Sequence, residues 1–132
     1  MRFSARPAGA VRIALIEPDE DEAAWVEAVL ESVAIRTEVK RVNWPTPYAP
    51  TAIGDAGLIL IGIEQLDAPQ REALNLLHAR FPRIPVVVLA GPDAFSWGGQ
   101  ALRLGALHLL LKSRLTAEAL SSTIRHCAFD PA

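Results

Sequence analysis

Glu17, Asp19, Glu20, Asp21 and Glu22 crowd carboxylates into one short stretch. Such a run can hold a divalent cation, which wants near-octahedral oxygen ligands. It can equally sit at a helix N-terminus, where negative charge is favourable. Lys112 closes a later apolar run, ALHLLL, and carries an ammonium that can pair with an anionic group or snorkel to solvent. Between these lies LILIG, ending at Gly62. In open parallel sheets, ligands and chemistry collect just beyond the carboxyl ends of the strands. A catalytic carboxylate belongs there, and glycine offers no nucleophile, no metal ligand and no charge. Glu64, two residues on, reads as a solvated loop carboxylate; the sharper alternative is a relocated acceptor or a fixed negative charge near Lys112. Trp44 and Tyr48 either lid the sheet where a helix is missing or line a small pocket. His78, His108 and His126 share no ligand spacing, and Asp55 would stand at the wrong end of a strand to act as a nucleophile. Phosphate loops, nucleophile elbows and HExxH patterns are absent.

The elements that must position these residues are legible from periodicity. Val11–Ile16 and Pro85–Ala90 are continuous apolar runs, like the one ending at Gly62, of the kind buried on both faces of a parallel sheet. Ile35–Val42 alternates apolar and charged residues, which places it at a sheet edge. Ala106–Leu111 is the fifth strand. After the first strand, Asp19 and Glu22 have capping-box spacing, and Trp25, Val26, Val29, Leu30 and Val33 form a buried helical stripe. Asp67 with Gln70 gives a second box, with Pro69 tolerated in the first turn and Ala73, Leu74, Leu77 and Phe81 buried before Pro82. Phe95–Leu104 is a weaker helix with Trp97, Ala101 and Leu104 inward, because Gly98 and Gly99 each cost about 1 kcal/mol relative to alanine. Thr116 caps the last helix, Leu115 and Leu120 staple it, and Leu120, Ile124 and Cys127 face inward. Pro45, Pro47 and Pro50 forbid a regular helix through Tyr48, leaving an irregular crossover with room for one turn near Thr51–Ile53. Strand and helix otherwise alternate. This demands right-handed crossovers and a doubly wound parallel α/β sheet covered by helices on both faces, and the alternating edge strand suits the flavodoxin-like order 2-1-3-4-5.

At 132 residues, 51 % hydrophobic and 21 % charged, the chain suits one globular domain. It divides into a tail over 1–10, a domain over 11–128 and a linker or tail over 129–132. A net charge of −2 with no basic face gives no reason to expect nucleic acid. A single cysteine excludes an internal disulfide. The N-terminus lacks the apolar region of a secretory signal, and no apolar run is long enough to span a bilayer, so the reading is a cytoplasmic protein.

From Val11 to Cys127 the chain resembles the receiver domains of bacterial two-component response regulators. The ending carries the resemblance most strongly: Leu104-Gly105-Ala106, a strand, Lys112, then a helix opening with Leu115-Thr116. The acidic residue after the first strand also fits. The resemblance implies an acceptor aspartate ending the third strand and paired acidic residues that help hold Mg²⁺. It also implies a Ser or Thr ending the fourth strand, a Lys ending the fifth, and an aromatic switch on the fifth. Those positions fall here on Gly62, on Glu17 with Pro18, on Ala90, on Lys112 and on Leu109. Ser113 replaces the proline that commonly follows the lysine, so no cis peptide is assumed there. Acyl-phosphate formation needs a carboxylate nucleophile. Glu17, even with Asp19, is too little to hold Mg²⁺ firmly. The expectation is therefore a degenerate receiver without enzymatic activity or cofactor, with Lys112 paired to Glu17 or solvated.

The implied role is a phosphorylation-independent interaction or dimerisation module. Its working face is the surface of the Phe95–Leu104 helix, the fifth strand and the last helix, with Leu102 and Arg103 outward and Leu109 beneath. The regulated partner is an output domain, in the same chain or another: GGDEF or EAL, PAS, or DNA-binding. The alternative is a small-molecule sensor using the crevice at the strand C-termini, within reach of Trp44, Tyr48 and Lys112.

Overall fold

A computed structural model describes residues 9–46 and 53–129. Five parallel strands form one sheet: β1 (Val11–Ile16), β2 (Thr37–Arg41), β3 (Leu58–Ile63), β4 (Val86–Ala90) and β5 (His108–Leu111). Their order is β2-β1-β3-β4-β5, as the alternating edge strand and the apolar runs require. Every residue of β3 and β4 is buried, whereas every residue of β5 is half-buried. Both edge strands are therefore partly wet.

The helices are α1 (Glu20–Glu31), α2 (Ala68–Arg80), α3 (Ala94–Arg103) and α4 (Ala117–Ile124). One core layer packs Ala23, Val26 and Leu30 of α1 and Leu120 and Ile124 of α4 against Ile13, Leu15, Leu58 and Leu60. The other packs Ala73, Leu74 and Leu77 of α2 and Trp97 and Ala101 of α3 against Ile16, Ile59, Ile61 and Ile63. Between β2 and β3 the described residues hold no helix. Trp44 and the buried Ile53 lie against the second layer there, so Trp44 does lid the sheet. Tyr48 and the turn expected at Thr51 lie outside the described residues, as do the tail over 1–8 and the last three positions.

Local signals fare unevenly. Asp19 caps α1 by accepting the Glu22 N–H at 3.0 Å, and Thr116 caps α4 by accepting the Ala119 N–H at 3.0 Å. The box expected at α2 does not form: Asp67 makes no side-chain cap bond. Pro69 stands at the second helical position and has no N–H, which removes one of the two donors an N-cap oxygen normally takes. Gly105 ends α3 with φ +114°, and a Cβ there would lie 2.8 Å from the His78 ring, so both backbone and packing call for glycine. The peptide after Lys112 is trans. Cys127 is half-buried against the first core layer, and burial pushes its thiol pKa up.

Trp25 departs from the expected stripe. It is 40 % exposed, while its neighbour Val26 is fully buried. Adjacent residues lie about 100° apart on a helix, and the buried face of α1 is centred on Ala23, Val26 and Leu30, which leaves Trp25 at its margin. Trp25→Ala is therefore expected to change unfolding free energy by less than about 1 kcal/mol. Leu30→Ala, at a 2 % exposed position, should cost about 3 kcal/mol in chemical denaturation.

Candidate functional site

The strand ends converge on Lys112. Ile16 pairs with Ile61 across β1 and β3, so Glu17 and Gly62, the residues following them, stand side by side at the carboxyl edge. Ala90 pairs with Leu111, which brings Lys112 to the same edge. A short 3₁₀ turn, Lys112–Arg114, follows β5 and turns the chain toward α4.

The Lys112 ammonium donates to three carboxylates. Its Nζ lies 2.9 Å from Glu17 Oε1, 2.6 Å from Glu22 Oε1 and 2.7 Å from Glu64 Oε2. The Lys112 side chain is 10 % exposed and that of Glu17 is 5 % exposed, so this pair is largely withdrawn from water. Burial alone would lower the lysine pKa. The bonds to Glu22, Glu64 and Glu17, with the Glu17 charge, outweigh that burial and raise it. Glu64 is thus a negative charge paired with Lys112, although its side chain remains 55 % exposed to solvent. Glu22, read from the sequence as a capping-box residue within the acidic run, is the third partner.

Two glycines make room for this cluster. A Cβ at Gly62 would lie 1.8 Å from Glu17 Oε1 and 2.7 Å from its carboxyl carbon. The Glu17 carboxylate therefore occupies the space that a side chain at residue 62 would fill. A Cβ at Gly91 would lie 2.3 Å from Glu64 Oε1 and 3.2 Å from Glu64 Cα. The sequence singles out Gly62 but says nothing of Gly91. The available signal was glycine at the ends of two adjacent strands, a place where another residue's side chain can enter.

The other expected positions bring no replacement chemistry. Pro18 is exposed and offers no side-chain oxygen. Asp19 is spent on the α1 cap, while its own N–H donates to Glu17 Oε2 at 3.1 Å. Ala90 is buried, and Leu109 packs beneath α3, its Cδ1 3.4 Å from where a Gly98 Cβ would sit. A magnesium ion therefore does not fit the side chains present: Glu17 is committed to Lys112, and positions 18 and 62 supply no side-chain oxygen. Leu102, 48 % exposed, and the exposed Arg103 face outward from α3 as expected.

Beside the cluster opens a crevice of about 250 Å³ lined by Glu17, Asp19, Glu22, Trp44, Glu64 and Gln70, among others. Gln70 Oε1 is buried with no hydrogen-bond partner among the described residues. One residue beyond Glu64, Gln65 Nε2 donates to Asp93 Oδ2 at 2.6 Å, tying the loop after β3 to the start of α3.

The Lys112 pairing should be lost on raising pH only above the ordinary lysine range, since its carboxylate partners raise its folded pKa above that range. Lys112→Met leaves three carboxylates together with no cation. It should cost about 3 kcal/mol at neutral pH, as breaking a buried pair does. Clustered carboxylates bind protons more readily folded than unfolded, so this variant should gain stability between pH 7.5 and pH 5. Thermal melts at the two pH values read the sign, and a variant that loses stability on acidification would contradict the cluster.

No family model matches the chain, and no curated protein matches its sequence. Solved structures match its fold. NtrX from Brucella abortus superposes at TM-score 0.70 and 21 % identity over 91 % of this chain, which spans 27 % of that chain. The isolated receiver domain of NtrX gives TM-score 0.70 at 21 % identity, covering 90 % of this chain and 99 % of that one. A pilus assembly-related protein from Burkholderia pseudomallei gives TM-score 0.76 at 17 % identity, covering 98 % and 97 %. The phosphorylated cyanobacterial phytochrome response regulator RcpA gives 0.69 at 18 %, covering 93 % and 97 %. The chain has the fold of a response-regulator receiver domain.

Proposed function

We propose that this chain is a phosphorylation-independent receiver-like signalling module, acting in the cytoplasm through protein–protein contact. One observation carries the reading. Where an acceptor side chain would stand there is Gly62, and the Glu17 carboxylate already fills its place and pairs with Lys112. A phosphoryl group arriving there would meet no nucleophile and a cluster with more carboxylates than cations. The pairing holds the module in one state, and the surface formed by α3, β5 and α4 works constitutively. What it regulates is an output domain, GGDEF or EAL, PAS or DNA-binding, in the same chain or in a partner.

The crevice beside the cluster supports a second reading, small-molecule sensing, because the buried Gln70 oxygen and Trp44 lie at its wall. Stabilisation by a ligand in a thermal-shift screen, lost in Gln70→Leu, would favour it.

Incubation with acetyl phosphate and Mg²⁺ should leave the intact mass unchanged. A stoichiometric gain of one phosphoryl group on an acid-labile carboxylate would overturn the proposal. Gly62→Asp alone should not restore switching, because the new carboxylate must displace Glu17 while Pro18, Ala90 and Leu109 stay as they are. Full beryllofluoride-dependent change in its NMR spectrum would show that those positions do not matter.

A further inference from the structure

Around the crevice beside Lys112, hydrogen-bond acceptors are left over after every donor of that lysine is spent. Its ammonium has three N–H groups, and three carboxylates take them: Glu17, Glu22 and Glu64. Glu17 is engaged at both oxygens, since its second accepts the Asp19 N–H. Glu22 and Glu64 each give Lys112 one oxygen. Their others, Glu22 Oε2 and Glu64 Oε1, have no donor among the described residues. Gln70 Oε1, in the wall of the same crevice, is a third such acceptor and is itself buried. A buried carbonyl oxygen without a donor is destabilising, and native proteins keep few of them.

Charge and chemistry narrow what such a wall takes. The carboxylates of Glu17, Asp19, Glu22 and Glu64 line the crevice, and Lys112 is the cation paired with them. The excess negative charge selects a cation. A metal ion is a poor match, because no three carboxylates among the described residues converge as a metal site. The three acceptors left over sit on α1, on the loop after β3 and on α2, so the ligand needs several donors pointing apart. A guanidinium has five N–H donors in a planar fork, has no acceptor, and is more weakly hydrated than an ammonium. It also stacks on aromatic rings, and Trp44 supplies an indole to the same wall.

We propose that this crevice binds the guanidinium group of a small alkylguanidine, held by Glu22, Glu64 and Gln70 against Trp44. The inference rests on the small-molecule reading and names its ligand. The volume of about 250 Å³ lies below the about 300–1,000 Å³ of drug-sized pockets, which suits a short alkyl chain. An arginine side chain carries the same group, and the probes below separate the two sources. A cation on Glu64 also bears on α3, because the next residue, Gln65, holds Asp93 at the start of that helix.

NMR titration of the 132-residue chain with n-butylguanidinium at low ionic strength tests it, with n-butylammonium and N-acetyl-arginine amide as comparison probes. Butylguanidinium should saturate, shifting the amides of residues 17–22 and 62–65, the Trp44 indole and the Gln70 side-chain amide. It should bind at least about tenfold tighter than butylammonium. Gln70→Leu removes the unpartnered oxygen, so it should keep or raise the melting temperature while weakening binding at least about tenfold. Glu64→Gln, at an exposed position, should leave the fold intact and weaken binding by a similar factor. Tighter binding of acetyl-arginine amide than of butylguanidinium would keep the site and assign it to an arginine side chain. No saturable shift at this crevice, equal affinity for butylammonium, or undiminished binding in either folded variant overturns the proposal. A ligand of another class that shifts the same resonances while butylguanidinium is silent also overturns it, leaving the small-molecule reading in place.

Discussion

One ammonium holds together the end of the sheet where receiver folds do their chemistry. Lys112 reaches from the end of β5 to a carboxylate after β1, another in α1 and a third in the loop after β3. Those segments meet nowhere else along that edge through side-chain ion pairs among the described residues. Taking a lysine and Glu17 this far out of water is costly, and only good geometry with several partners offsets it. The geometry depends in turn on what is missing: side chains at positions 62 and 91 would stand where the Glu17 and Glu64 carboxylates lie. The two glycines, three glutamates and one lysine form a single constraint.

That constraint reaches the outer surface through short links. Glu64 is fixed on Lys112, and the next residue, Gln65, holds Asp93 at the start of α3. Asp93 is therefore drawn away from capping, and α3 begins without a side-chain cap. A helix with no cap and two central glycines depends for its position on Trp97 and Ala101 against the sheet. The element that faces outward most is thus the one with the least local stability of its own, and it is tied to the closed cluster by one loop.

Sequence patterns reveal the frame better than the site. The one alternating run marks an edge strand, because an edge strand can keep a wet face, and β2 lies at that edge; the apolar run of β5 gives no such sign that it forms the other edge. Gly62 is legible as an absence at a position where chemistry is expected. What fills the absence is not legible, since spacing along the chain does not say which of several carboxylates bends inward. Glu64 reads as solvated because most loop carboxylates are; only the fold shows Lys112 within 2.7 Å of it. Trp25 is misread because apolar spacing admits both it and Val26 to one stripe, while the buried face is centred on Ala23, Val26 and Leu30. The α2 capping box is misread because Pro69, tolerated in the first turn as expected, also removes one of the N–H donors that the Asp67 side chain would take. In each case a local rule yields to a neighbour that the pattern does not count.

The account turns on the claim that Glu17 fills the space of the missing side chain at residue 62, and a double-mutant cycle addresses that claim most directly. Gly62 has no positive φ, so alanine brings no backbone penalty there. In the wild-type background Gly62→Ala must push the Glu17 carboxylate off Lys112, and it should lower unfolding free energy by about 1–2 kcal/mol. In a Glu17→Ala background the same substitution meets open space and should be neutral or stabilising, giving a coupling of about 1–3 kcal/mol. Equal costs in the two backgrounds would mean that the Glu17 carboxylate lies elsewhere, and the closed cluster at Lys112 would be wrong.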